Sequence, residues 1–327
     1  MNGNEDVNAR KLIDRVVHEE TWGPMVGLVA TSYEMQPDFL ELDFLPSLFR
    51  LGAWDDRSWA TRVGMERKLA ELDVATVFMD PRCYRGRPRS LRLGLLPVRI
   101  QRGSALHAKV ALVLFEKAVR VIVGSANLTE QWFRKNREVA AVLTATESSR
   151  QEARLIAQAA AGMESSLAPW LTSESRDVLT RARMMVEQWS ALQKEDQSTF
   201  MWSGGPTKLW QEFLDRWPSD EVVNRATIVS PFWSAEARTT LEQFIATLRN
   251  RNLLAPNSEF RLFTEAFVDS NHQYLPVWPP SYALCDWNGL GADVSAAAVD
   301  PRVLPEEVGD MDGFTGIPCC TACSPTR

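Results

Sequence analysis

Residues 106–143 read LHAKVALVLFEKAVRVIVGSANLTEQWFRKNREVAAVL. Two short apolar runs, VALVLFE from Val110 and AVRVIVG ending at Gly124, are rich in β-branched residues and predict buried strands. The polar pair Glu116-Lys117 between them predicts the turn of an antiparallel hairpin. EVAAVL, from 138 to 143, is a further strand candidate. In His107-Ala108-Lys109 two polar residues alternate around an alanine, so on a strand both would share one face. The returning strand brings Gly124-Ser125-Ala126-Asn127 alongside, and Ser125 and Asn127 again stand two apart. Four polar groups thus meet at one end of an apolar hairpin, where a purely structural hairpin has no use for them.

Those residue types suit a phosphodiester. Its negative charge repels nucleophiles, so a site must first neutralise the non-bridging oxygens. A histidine can then attack phosphorus and split one hard displacement into two easier ones. Lysine is a compact cation for a phosphoryl oxygen, while serine and asparagine offer neutral hydrogen bonds.

Working outward, the stretch up to about Gly23 predicts a helix with Leu12, Val16 and Val17 on one side. MVGLVATSY predicts a buried strand, residues 60–73 a helix and VATVFMD a second strand. LLPVRI predicts a third strand, just before the hairpin. Helices are expected around 149–163 and 175–193. A second unit opens with ATIVSPFW (226–233), a helix from 234 to 251, and the strand EFRLFTEA. Strands separated by helices imply a layered α/β architecture, a mixed sheet flanked by helices, in which the second unit is an incomplete echo of the first. The expected divisions are 1–195, 196–283 and a loosely ordered tail, 284–327.

The tail carries seven acidic residues against two arginines, with no sustained periodicity. Its cysteines, Cys319, Cys320 and Cys323, do not form a paired C-x-x-C framework with Cys285, so no metal site is expected. Five cysteines, none in the first 82 residues, do not resemble a secreted disulfide framework. No apolar run reaches the roughly 20 residues that span a bilayer, and the first residues lack the pattern of a secretory signal. A cytoplasmic location without a membrane partner is therefore expected. Net charge is −6, yet seven arginines and no acidic residue lie between Arg82 and Arg102. A block of that kind attracts phosphates locally, because screening makes near charges outweigh the total.

The H-x-K, strand pair and G-S-x-N of residues 107–127 resemble the phospholipase D superfamily, with Glu138 where that family commonly places an acidic residue. The resemblance is detailed over roughly residues 95–145 and looser from about 25 to 265. It implies a phospholipase D-like fold and a phosphohistidine mechanism that needs no metal or other cofactor. It also implies roles: His107 as nucleophile or general acid, Lys109 and Asn127 on the phosphoryl oxygens, Ser125 in support, and Glu138 orienting a histidine. Arg99 and Arg102 are expected to bind substrate. One departure is Leu114, five residues after Lys109, where the family usually has aspartate. Tyrosyl-DNA phosphodiesterases share that loss, so the resemblance leans toward them or toward bacterial nucleases.

Family members normally use two such motifs. Here Lys208 is the last lysine, and the later His272 is followed by Gln273-Tyr274, so no second H-x-K follows it. Three readings remain open: a homodimer in which each copy gives one motif, a truncated two-motif protein, or a degenerate member that binds phosphates without turnover. His18 and His272 lack polar company and read as structural. The first functional expectation is a phosphodiesterase acting on nucleic acid, with Tyr84, Trp132 and Phe133 as aromatic neighbours of the site. The alternatives are a non-catalytic nucleic-acid-binding protein and a phospholipid hydrolase. The latter is disfavoured by the lack of an amphipathic docking helix.

Overall fold

The computed structural model describes residues 19–49, 51, 59–84, 86–100, 105–131, 133, 138–190, 199–202, 209–218, 221–229, 237–268, 274–276 and 293–299. The first 18 residues, Arg102, Trp132, Asn136, His272 and the four cysteines from Cys285 onward lie outside these. The chain divides into two compact units, Met1–Asp215 and Arg216–Arg327. The helix α6 (Leu209–Asp215) falls in the first unit.

The first unit is built on a six-stranded mixed sheet: β1 (Met25–Ser32), β2 (Val74–Met79), β3 (Gly94–Pro97), β4 (Val110–Phe115), β5 (Ala118–Gly124) and β6 (Ala140–Thr146). Its order is β3-β2-β1-β4-β5-β6. β1, β2 and β3 run parallel, whereas β1–β4, β4–β5 and β5–β6 are antiparallel. The hairpin turns at Glu116-Lys117 as the pattern predicts. β4 is buried at every position because both faces are covered. Ala111, Val113 and Phe115 face one core with Phe39, Leu40, Phe44, Met65 and Leu69. Leu112 and Leu114 face the other, with Ile156, Ala160, Val178 and Val186 from the helices α4 (Ala153–Ser166) and α5 (Ser173–Ser190). Each fully buried Leu or Phe contributes about 1.5–3 kcal/mol. Leu114, standing where the resemblance would place an aspartate, is 1% exposed and part of that core.

The sequence reading assigned no element to residues 37–49, but the structure is helical there. It runs as α1 (Pro37–Phe39), a π-helical turn over Leu40–Phe44, and α2 (Leu45–Phe49). Proline is tolerated in a first helical turn, where its missing N–H would be unpaired anyway, and Pro37 sits there. After it, α3 (Trp59–Ala70) crosses over between β1 and β2.

The second unit holds β7 (Val223–Val229), α7 (Ala237–Asn250), β8 (Leu254–Val268), β9 (Tyr274–Pro276) and β10 (Asp293–Val299). β7, β8 and β10 are parallel in the order β10-β8-β7, the order and sense of β3-β2-β1 in the first unit. β9 pairs antiparallel with β8. β10 lies inside the stretch 284–327 that composition marked as a loose tail. Its sequence, DVSAAAV, lacks alternation, and its strand state comes from its ladder to β8. Among the described residues no helix is long and apolar enough to cross a membrane.

Candidate active site

The hairpin's polar end lies at one edge of the six-stranded sheet. Here the carboxyl ends of β1, β2 and β5 meet the chain entering β4 and β6. Open α/β sheets characteristically bind ligands beyond such carboxyl ends. His107-Ala108-Lys109 does not form part of a strand; β4 begins at Val110. The reason is visible in the ladder. Val110 N donates to Thr31 Oγ1 at 3.1 Å rather than to a carbonyl, which closes pairing with β1. On the other side one more rung forms, as Gly124 N donates to Lys109 O at 3.2 Å.

Freed from the ladder, the two side chains still converge. Lys109 Nζ lies 3.0 Å from His107 Nδ1, 3.2 Å from Nε2 and 3.0 Å from the His107 carbonyl oxygen. The His107 pKa is lowered, first by partial burial and then by the Lys109 charge. Burial likewise lowers the Lys109 pKa, with the Glu138 carboxylate acting in the opposite direction. The His107 shift favours the neutral imidazole, while at Lys109 the Glu138 carboxylate favours the ammonium against burial.

Asn127 is 4% exposed and enters from the turn after β5. Its Oδ1 accepts a hydrogen bond from Glu34 N at 3.2 Å. Glu34 follows Tyr33, whose ring lies 4.9 Å from the His107 ring and 5.8 Å from Lys109 Nζ. The turn at 33–34 therefore borders both His107 and Asn127. Ser32 fastens this turn, its Oγ accepting from Leu128 N at 3.0 Å and donating to Glu34 O.

Ser125 is exposed, but its hydroxyl is already engaged. It donates to the Glu138 carboxylate and accepts from Val139 N at 3.1 Å. Glu138 thus meets Ser125 and acts on Lys109; among the described residues no hydrogen bond joins it to His107. This differs from the expectation that Glu138 orients a histidine. A carboxylate two residues before β6 can reach only what β5 and the entry to β4 present there. Gly124 makes this approach possible, since a Cβ there would lie 2.7 Å from Val139 O and 3.0 Å from Ala140 Cβ. Gly124→Ala is expected to push β5 and β6 apart and to cost about 1–3 kcal/mol. Urea unfolding would register this as a lower midpoint, and an unchanged midpoint would refute the close-approach argument.

Tyr33 and Asp80 also belong to the site, although no motif marks them in the sequence. Asp80, 3% exposed at the end of β2, holds the chain that leads into His107. Its Oδ1 accepts from Arg82 N at 3.0 Å and Arg82 Nε at 2.8 Å. Its Oδ2 accepts from Arg82 Nη2 at 2.7 Å and from Leu106 N at 3.3 Å. The Arg82 side chain is the leading cause of a lowered Asp80 pKa. A second buried carboxylate, Glu41, accepts from Arg89 N at 3.0 Å and Ser90 N at 2.7 Å. The one available sequence signal was position: polar residues directly after buried parallel strands.

The arginine block is less free than composition implied. Arg82, Arg89 and Arg92 pair with Asp80, Asp38 and Glu66 at 2.7, 3.2 and 3.8 Å. Arg87 and Arg99 are exposed and form no ion pair among the described residues. Tyr84 is half-buried, while Phe133 is buried against Phe39 and Phe44 and serves the core. Among the described residues no group of three His, Cys, Asp or Glu side chains is placed to hold a metal ion.

No protein-family model and no curated protein matches this sequence. Solved structures with a similar chain path include a mutant of yeast tyrosyl-DNA phosphodiesterase, at 8% identity and a TM-score of 0.46, covering 78% of this chain and 61% of that one. Phosphatidylserine synthase of Haemophilus influenzae Rd KW20 gives 12% identity and a TM-score of 0.39, over 83% of this chain and 63% of the synthase. Polyphosphate kinase of Porphyromonas gingivalis gives 10% and 0.38, over 88% of this chain and 35% of the kinase. This chain therefore spans less than two thirds of the length of each.

Proposed function

We propose that the first unit is a phospholipase D-like phosphodiesterase centre in which His107 attacks phosphorus and nucleic acid supplies the phosphodiester. The observation that carries this reading is the meeting of Lys109 Nζ with the His107 ring at 3.0 Å, beside the turn that also holds Asn127. A neutral imidazole is a nucleophile rather than an acid, and the lowered His107 pKa favours that role.

In the free protein Lys109 Nζ lies against the imidazole, within 3.2 Å of both ring nitrogens. An incoming phosphodiester offers it a stronger, charged acceptor. Moving to a phosphoryl oxygen, Lys109 would uncover the imidazole and neutralise the anion together. The imidazole nitrogen then bonds to phosphorus as the bond to the leaving oxygen breaks. Water subsequently cleaves the phosphohistidine. Asn127 would hold a phosphoryl oxygen through its amide N–H, and Ser125 would act by keeping Glu138 beside Lys109. His107 is the one histidine among the described residues, so a poor leaving group needs its proton from another source, such as a second copy of the chain. An aryl oxide leaves without one.

The test is therefore turnover of bis(4-nitrophenyl) phosphate together with mass detection of phosphate on the peptide holding His107. A folded chain with neither turnover nor adduct would leave a nucleic-acid-binding protein as the reading. The pH dependence follows from the shift. With His107 held neutral, the acid limb of kcat/KM should lie below the ordinary histidine value of about 6.5. Lys109→Gln should raise that limb, because it removes the neighbouring charge. The stability sign runs the same way: the unfolded chain takes up this proton first, so folding weakens as pH falls through about 6.5. An acid limb at or above that value would contradict the assignment.

A further inference from the structure

Beside this edge lies a cavity of about 520 Å³, within the range of roughly 300–1,000 Å³ typical of ligand pockets. Gln36 and Asp38 from the start of α1, Asp43 from the π-helical turn, Arg87 from the arginine loop, and Glu130 supply its polar wall. It is tied to the site by short bonds. Gln36 N donates to Leu128 O at 3.0 Å, and Glu130 N to Gln36 Oε1 at 3.4 Å. Glu130 is three residues from Asn127, so at about 3.8 Å per residue their Cα atoms lie within about 11 Å of each other.

Gly86 fixes Arg87 over the cavity. Its φ of +105° suits glycine alone, and a Cβ there would approach Pro37 Cδ to 3.3 Å. Arg82, Arg89 and Arg92 are committed to carboxylates, whereas Arg87 forms no ion pair among the described residues. The unpaired guanidinium is the one that gains most from a phosphate, because no internal partner has to be given up. The other polar groups are three carboxylates, of which Asp38 is paired with Arg89, and an amide. They repel a second phosphate but accept hydrogen bonds from exocyclic amino groups of bases. Gln36 has its Oε1 engaged and its NH₂ unused among the described residues.

We propose that this cavity is a subsite for the nucleotide flanking the scissile phosphodiester, with Arg87 on its phosphate and the Gln36, Asp38 and Glu130 wall on its base. This assignment rests on the phosphodiesterase reading of the neighbouring site and names its substrate class: single-stranded nucleic acid engaged through one flanking nucleotide.

The test is fluorescence anisotropy of a labelled single-stranded oligonucleotide binding to the intact chain across a sodium chloride series. Arg87→Ala should weaken binding and make the slope of log K against log salt shallower by about 0.7, the contribution of one single-strand phosphate. Arg92→Ala, at an arginine already paired, should leave the slope as in wild type. A cytosine or adenine oligomer should bind more tightly than a thymine one, and Glu130→Gln should reduce that difference. The proposal is overturned if wild type does not bind, if Arg87→Ala keeps the wild-type slope, or if Arg92→Ala lowers it equally. Failure of the phosphodiesterase reading appears separately, as absent turnover of bis(4-nitrophenyl) phosphate alongside intact oligonucleotide binding.

Discussion

Replacing His107 with alanine is expected to lower turnover of bis(4-nitrophenyl) phosphate by roughly four to six orders of magnitude, the scale seen when a nucleophile is removed from a concerted catalytic group. Any residual rate would come from Lys109 and Asn127 acting on the anion without a covalent step. The fold should barely respond. His107 is exposed and lies outside the ladder, and substitutions at such positions usually change stability by less than about 0.5 kcal/mol. Loss of phosphate labelling on the peptide, with an unchanged urea midpoint, is the expected pair of results. Equal turnover by wild type and variant would remove His107 from the chemistry, whatever the variant's stability.

Asp80→Ala should differ from it, with a large effect on both fold and rate. The substitution leaves the N–H groups of Arg82 and Leu106 without their acceptor and releases the Arg82 side chain. An orphaned buried donor costs about 1–3 kcal/mol, so a loss near 3 kcal/mol is expected once the solvent-exposed Arg82 side chain is discounted. The variant should also be slower. Leu106 immediately precedes His107, and a displacement of about 1 Å in a reacting group can cost a hundredfold. Asp80 touches no reacting atom, so it is a positioning residue. A kcat that falls while the acid limb of the pH profile stays in place would mark that role. A wild-type kcat in a destabilised variant would restrict Asp80 to stability. The lowered Asp80 pKa adds a sign: its stabilisation is present above the unfolded value of about 3.9 and is lost as pH falls through the lower folded value.

The first sheet was legible because its central strands, β1, β2, β4 and most of β5, are buried on both faces. VALVLF and AVRVIVG can be read as strands from local pattern alone, and the two polar residues between them place the turn. The site's core was legible for a similar reason, since polar residues alternating at the end of an apolar hairpin have no packing role. The helical segment at 37–49 was harder to see. Its two prolines, Pro37 and Pro46, resemble breakers until the first is found in an opening turn. β10 was hidden because DVSAAAV shows no period, and its partner β8 begins almost 40 residues earlier in the chain.

The sequence by itself determined the hairpin, the layered α/β class, and the presence of His107, Lys109, Ser125, Asn127 and Glu138 in one short stretch. These features depend on spacing and on a local alternation of apolar and polar side chains. Only the tertiary structure decided what each polar group does. It took His107 and Lys109 off the strand, gave Ser125 to Glu138, brought Tyr33 against His107, and put Asp80 under the chain leading to it. It also sorted the arginines into paired and unpaired. Electrostatic partners are chosen by distance in space, and Asp80 reaches Leu106 across 26 residues while Glu41 reaches Arg89 across 48. No local pattern carries that information, because the carboxylate and the groups it satisfies share no period and no segment.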